Sequence, residues 1–397
     1  MITKRTFVAS AVGLACLLVP SIASAQEKVL KIGQLGVMSG PAASWGLVSR
    51  YSAEAVAQMI NEQGGWQIGD SKYKIQIVSI DDKNDMRAAI AGMERLAYQD
   101  KVKYVIGPNV DDPSKAVLPV VNRAGMFNIS YGFAKELFME PNKNTALGMI
   151  ATYQTAPIVY QYLAKNKGVK SVSFVSWNGI GGLVNRDAGV AAAKQVGLEV
   201  ISSDTLYEPG TTDFFPIMGG VVEGNPDLIV LSGVSPSDAP LLIRAARELG
   251  YKGLISTETA QDAKVLAEVA GSMANGFISL GGASTSELSS DYMEEFKRRY
   301  TATAGEWNDE ASTKVYALDM LLRTLQHAGP KAIDDVEAFK ASLAGFEVDN
   351  PFVKDDSVKL RWVGTEWFGQ PRQISVPLVI NEYRDGAFQT LFITSVD

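Results

Sequence analysis

From Val29 onward the apolar and polar positions change period in a regular alternation. Val29 to Val37 reads as a buried strand, Ser44 to Gln63 as an amphipathic helix, Lys74 to Asp82 as a strand and Met86 to Tyr98 as a helix. Val102 to Ile106 and Met126 to Ser130 continue the strands, and the helix between them is expected to open with Asp112 as N-cap and Pro113 at its first position. Strands alternating with helices imply a parallel sheet covered on both faces. A second series starts near Ile150, with strands predicted at Ser171 to Ser176, Leu198 to Thr205, Leu228 to Leu231 and Gly253 to Ser256. Beyond Gly276 the pattern turns mostly helical, over Glu287 to Ala304 and Ser312 to Ala328. It ends in a hairpin, Ser375 to Asn381 and Ala387 to Thr394, around Arg384-Asp385-Gly386.

The expected fold class is therefore α/β, with two doubly wound parallel-sheet lobes. The length of 397 residues supports that division, because single cores stop growing at roughly 250–300 residues. No flexible linker separates the series, so the lobes should be joined by short crossing segments suited to hinge motion. The first 25 residues are set apart: Lys4 and Arg5 precede an apolar run from Phe7 to Val19, then Pro20 and Ala23-Ser24-Ala25. That is the layout of a secretory signal peptide cleaved near Ala25, and the run is shorter than the roughly 20 residues that span a bilayer. A periplasmic protein, soluble after cleavage, is expected. The single cysteine, Cys16, lies in that leader, so stability must come from cores and not disulfides.

Composition removes several functions. A formal net charge of -7 with one histidine gives no concentrated basic surface for nucleic acid. A Ser/His/Asp triad would depend on His327 alone, which sits at a helix end before Gly329-Pro330, and no Gly-x-Ser-x-Gly elbow presents a serine. Gly179-Ile180-Gly181-Gly182-Leu183-Val184 lacks the third glycine of a dinucleotide fingerprint and reads as a strand-to-helix loop. No catalytic residue, metal or cofactor is expected. The acid pairs Asp81-Asp82 and Asp111-Asp112 stand where strands end and helices begin, so capping should account for one member of each. Trp45, Tyr131 and Trp177 follow strand ends in both series, the place where open α/β sheets bind ligands. Three rings there would wall a flat or apolar guest.

Several stretches carry a family likeness. They are Lys31-Ile32-Gly33 running to Ser39-Gly40-Pro41-Ala42-Ala43-Ser44-Trp45-Gly46, then Asp81-Asp82-Lys83-Asn84-Asp85, Val105-Ile106-Gly107-Pro108, and Pro209-Gly210-Thr211-Thr212-Asp213-Phe214 ahead of Pro226-Asp227. In this order the chain resembles a type I periplasmic solute-binding protein of ABC importers, of the branched-chain amino acid class. The resemblance implies lobes joined by three crossings, a small-molecule ligand in the cleft, and a monomer that docks on importer permease subunits. It divides the chain into a first lobe of 26–149 and 280–350 and a second of 150–279 and 351–397. It places ligand contacts on Trp45, on Asn109, Val110, Asp111 and Asp112, and on Ser130, Tyr131 and Gly132 within the loop running to Ala134. It adds Tyr153, then Trp177, Asn178 and Ile180, then Val234 beside Gly233, and Thr257 with Glu258. Glu258 aligns with the acid that holds a ligand ammonium. Asp111 and Asp112 replace hydroxyls that would receive a carboxylate, so a simple branched-chain amino acid is not the expected ligand. An aromatic or extended apolar body with hydroxyl or cationic ends fits better. A sensory protein docking on a membrane receptor is the alternative, and an exported carboxylate-dependent enzyme is a more distant one.

Overall fold

In the computed structural model the described residues are Met1, 28–354 and 358–395. The expected signal peptide falls on residues outside that set. Among the described residues, sixteen strands form two sheets. β1 (Lys28–Gly36), β2 (Trp66–Ile68), β3 (Ser71–Asp81), β4 (Tyr104–Ile106), β5 (Phe127–Ser130) and β6 (Thr145–Leu147) belong to the first. β7 (Ser171–Trp177), β8 (Glu199–Tyr207), β9 (Leu228–Ser232), β10 (Leu254–Ala260) and β11 (Ile278–Gly281) belong to the second. The chain then returns to the first sheet with β12 (Glu347–Asp349), β13 (Lys359–Val363) and β14 (Gln373–Ile374), and closes the second with β15 (Leu378–Arg384) and β16 (Ala387–Thr394).

The first sheet runs β12-β13-β14-β6-β5-β4-β1-β3-β2 and the second β16-β15-β11-β10-β9-β7-β8. Both centres are parallel, as βαβ crossovers require; antiparallel strands close both edges of the first sheet and the β16 edge of the second, whose other edge is the parallel β8. β1 and β3 stay in register from Lys28↔Tyr73 to Gly36↔Asp81, which brings both strand ends to one edge of the sheet. Three crossings join the lobes: residues 148–151, 282–290 and 375–377.

Two expectations need correction. Residues 358–374 were assigned to the second lobe, but β14 pairs with β6 through Gln373↔Leu147, so this segment completes the first sheet. Its strands are too short to announce a sheet by periodicity. Helix caps also differ. The helix Met86–Glu94 is capped by Asp85, whose side chain accepts from the Ala88 amide, and neither Asp81 nor Asp82 caps it. The helix Asp111–Ala124 begins two residues earlier than expected, with Val110 and not Asp112 at the cap, leaving Asp111 free for other work. His327 lies exposed in the last turn of Tyr316–Ala328, its ring 4.8 Å from that of Phe346.

Candidate functional site

The strand tips of the two sheets face each other across a cleft lined by side chains from both lobes, the place where open α/β sheets bind ligands. Trp45 is brought there by the first turn of the helix Ala43–Glu62. That turn packs so closely on β1 that a Cβ on Gly46 would lie 2.0 Å from the Val37 carbonyl oxygen. Trp177, at the end of β7, supplies an aromatic ring from the other lobe, and Tyr131 and Phe133 add two from the loop after β5. Met149 lines the hinge side.

Asp111 organises the first-lobe wall. Its Oδ1 accepts from the Phe133 and Ala134 amides at 2.8 and 2.7 Å, so the carboxylate holds the loop that carries Tyr131 and Phe133. Burial pushes this acid up to about 6, against the pull of those amides. Its Oδ2 looks across the cleft: a Cβ on Gly181 would lie 2.8 Å from it, so glycine at this position lets the helix Ile180–Gln195 approach. The lobes also meet where Ser237 Oγ donates to the Pro41 carbonyl at 3.2 Å and where Lys264 pairs with Glu306. Asp262 and Asp309 exchange backbone bonds across the same gap, Asp309 N donating to Asp262 Oδ2 and Ala263 N to Asp309 Oδ2, each at 3.2 Å. The cleft is closed.

Six of the residues expected from sequence line this space: Trp45, Asn109, Val110, Asp111, Tyr131 and Trp177. Neither amide atom of Asn109 has a partner, though the residue is only 8% exposed. The others lie behind or beside the wall. Asp112 is half-buried and does not line the cavity. Ser130 Oγ sits 2.8 Å from Ser114 Oγ and accepts from the Gly132 amide at 3.1 Å, which fixes Gly132 behind the rings. Tyr153 stacks on Trp367 with Lys135 Nζ 4.4 Å from its ring. Asn178 is exposed and donates to Glu208. Ile180 opens its helix, half-buried, and Val234 is fully buried, its carbonyl taken by Thr259 Oγ1 at 3.0 Å. Thr257 donates to the Leu231 carbonyl at 2.7 Å.

Glu258 corrects the resemblance most sharply. Its side chain turns away from the cleft and accepts from the Tyr160 hydroxyl on the helix Thr152–Lys167. Burial pushes the carboxyl up to about 7, and it lines no part of the cavity. Gly233 of the expected Gly233-Val234 loop lines it, and residues outside the expected set join in: Gly181, Asn185, Thr259 and Ala260 from the second lobe, and Glu310 and Lys314 from the first. Lys314 ends the short helix Ala311–Lys314, its Nζ 3.6 Å from Glu310 Oε1 and 4.2 Å from the Tyr131 ring centre. Burial pushes Glu310 up to about 7, with Lys314 opposing, and pulls Lys314 below its ordinary value. In sequence the signal is a lysine directly before the apolar run Val315-Tyr316-Ala317-Leu318.

Among the described residues no group of three His, Cys, Asp or Glu side chains is arranged to hold a metal ion, and no helix is long and apolar enough to cross a membrane.

Two α/β lobes closed over a cleft define a bilobal binding protein. The chain belongs to the periplasmic binding protein family, whose pattern matches residues 29–367. It is 27% identical over 266 residues to the Leu/Ile/Val-binding protein homolog 4 of Brucella abortus (strain 2308), covering 64% of this chain and 62% of that protein's length. It is 25% identical over 332 residues to the Leu/Ile/Val-binding protein of Escherichia coli (strain K12), covering 81% and 84%. Its fold matches that of the branched-chain amino acid transporter substrate binding protein of Streptococcus pneumoniae in complex with isoleucine. The TM-score is 0.76 with 18% identity, over 93% of this chain and 99% of that one. The fold is that of the type I periplasmic binding proteins.

Proposed function

We propose that this chain is an extracytoplasmic receptor that captures one small molecule between its lobes and delivers it, unchanged, to the permease of an ABC importer. Family membership and the relatives' descriptions support the transport role. The observation that carries the reading is a cleft walled by side chains of both lobes and bridged by interlobe bonds. A ligand touching both walls binds the closed state better than the open one, and that difference is what drives closure. A chain exported by its leader and acting as a monomer fits this role. Binding without turnover is the proposed activity, in keeping with the family to which the chain belongs.

A plain leucine-like ligand suits the cleft poorly. Glu258, the acid expected to meet an ammonium, is spent on Tyr160, and the walls present Trp45, Tyr131, Phe133 and Trp177. Rings of this kind favour a flat or aromatic body by offset or edge contacts, each worth about 0.5–1.5 kcal/mol beyond the area buried. The test is a tryptophan-fluorescence and small-angle scattering titration of the purified protein with amino acids, aromatic acids, fatty acids and polyamines. One class should quench or enhance fluorescence, compact the molecule and be recovered unchanged. Trp45→Ala and Trp177→Ala should each weaken that binding by about tenfold or more. Chemical alteration of the compound, or full affinity in both variants, refutes the reading.

A further inference from the structure

The cleft contains a cation that the wall-forming roles above do not use. Lys314 is buried, its ammonium lying over the Tyr131 ring at 4.2 Å and 3.7 Å from Met149 Sδ, while its oxygen partner, Glu310 Oε1, stands off at 3.6 Å. An ammonium carries three donors and seeks oxygen acceptors at about 2.7–2.9 Å. Asn109, in the same cavity, has an unpartnered donor and an unpartnered acceptor. Glu310 keeps one oxygen, Oε2, without a partner. Donors without short acceptors, surrounded by aromatic rings, describe the complement of a flat anion.

We propose that the cleft is built for a small aromatic carboxylate, its ring between Trp45 and Trp177 and its carboxylate on the Lys314 ammonium. This rests on the receptor reading and specifies its ligand class. The acids do not make the cleft a cation site. Asp111 Oδ1 is committed to two backbone amides and its Oδ2 meets the start of the helix Ile180–Gln195, while Asp112 lies outside the cavity. Glu310 is already turned to Lys314, and an entering carboxylate competes with it for that ammonium. Once displaced, Glu310 is stable in this buried position only as the neutral acid, so binding takes up a proton from solvent. The ionisable groups around Lys314 are Glu310 and Tyr131, with Asp111 in the same cavity and Asp262 and Tyr300 in the electrostatic field of Glu310.

The experiment is calorimetric titration of the purified protein with benzoate, 3-phenylpropionate, 3-phenylpropionamide, 2-phenylethylamine and leucine. At least one acid should bind roughly tenfold or more tightly than the amide and the amine, the discrimination a buried charge-assisted bond supplies. Lys314→Met should reduce acid binding by about thirtyfold and leave the amide within about threefold. With Glu310 ionising near pH 7, acid affinity should rise about tenfold from pH 8 to pH 6, and Glu310→Gln should flatten that rise. Should Lys314→Met fail to fold, the acid-to-amide ratio and the pH series of the natural protein decide alone. Equal binding of amide or amine, or undiminished acid binding in folded Lys314→Met, overturns the proposal. Preference for leucine, or for a class outside these five compounds, overturns it while leaving the receptor reading standing. If no compound of this set or of the wider titration binds, both fall.

Discussion

Glu258→Gln separates what the family likeness implies from what the fold has done with this residue. The carboxyl is fully enclosed, accepts from Tyr160 with one oxygen and leaves Oε2 unpaired. It ionises near 7 in the folded chain against an ordinary 4.5, with burial as the main cause. Between those values the folded state binds a proton that the unfolded state has lost, so stability falls as pH rises through that window. Each tenfold change in an ionisation constant is about 1.4 kcal/mol, so the charged form carries a penalty of about 3 kcal/mol at pH 8 and about half of that at pH 5.5. Glutamine keeps the acceptor for Tyr160 and cannot ionise. The stability gap between pH 5.5 and pH 8, measured by urea unfolding followed by circular dichroism, should therefore shrink by about 2 kcal/mol in the variant. Ligand affinity should stay within about threefold of the natural protein, because the side chain lines no part of the cleft. An unchanged pH gap together with lost binding refutes this and returns Glu258 to the ligand.

Two further outcomes test how the cleft is built and closed. Gly46→Ala drives a methyl to 2.0 Å from the Val37 carbonyl oxygen, a clash only backbone movement can relieve; it should cost about 2–3 kcal/mol in urea unfolding and weaken ligand binding by shifting Trp45. Unchanged stability would mean that the turn is not packed as described. Ser237→Ala removes the hydroxyl that donates to Pro41 across the gap and should lower ligand affinity roughly two- to tenfold with little effect on the unfolding midpoint. Lys264→Ala, which breaks an exposed interlobe ion pair, should change neither measurably, since such pairs contribute little in water.

Much of the fold is legible because a parallel sheet writes itself as alternating periods. β1 was expected at Val29 to Val37 and spans Lys28–Gly36, and the hairpin at the end surrounds Arg384-Asp385-Gly386 as its turn residues imply. The failures share a cause. β12, β13 and β14 span 3, 5 and 2 residues, too few for a period to emerge, and what places them is the pairing of β14 with β6 through Gln373↔Leu147, far apart in the chain, with β13 and β12 following on β14. Asp85 caps its helix and Asp81 does not, because the cap geometry is set by backbone angles that adjacent acids do not reveal.

The site divides along the same line. Trp45, Tyr131 and Trp177 were legible because strand ends converge on one sheet edge whatever their side chains. Glu258 carried a contradiction within the sequence itself. Successive residues of a strand point to opposite faces, so Thr257 and Glu258 inside β10 cannot both present side chains to one ligand. The hydroxyls of Thr257 and Thr259 share one face, 3.0 Å apart, and Thr259 reaches the cavity while Glu258 is turned to the helix behind. Lys314 had no such local grammar. It stands on a helix of four residues after the second crossing and joins Tyr131 and Met149 only through the tertiary fold. A lysine between Thr313 and Val315 ordinarily faces solvent, so its burial shows only in the structure, and a buried ammonium requires a partner. Glu310 Oε1 lies 3.6 Å from Nζ and the Tyr131 ring 4.2 Å away, and a ligand carboxylate is the short oxygen partner proposed for it.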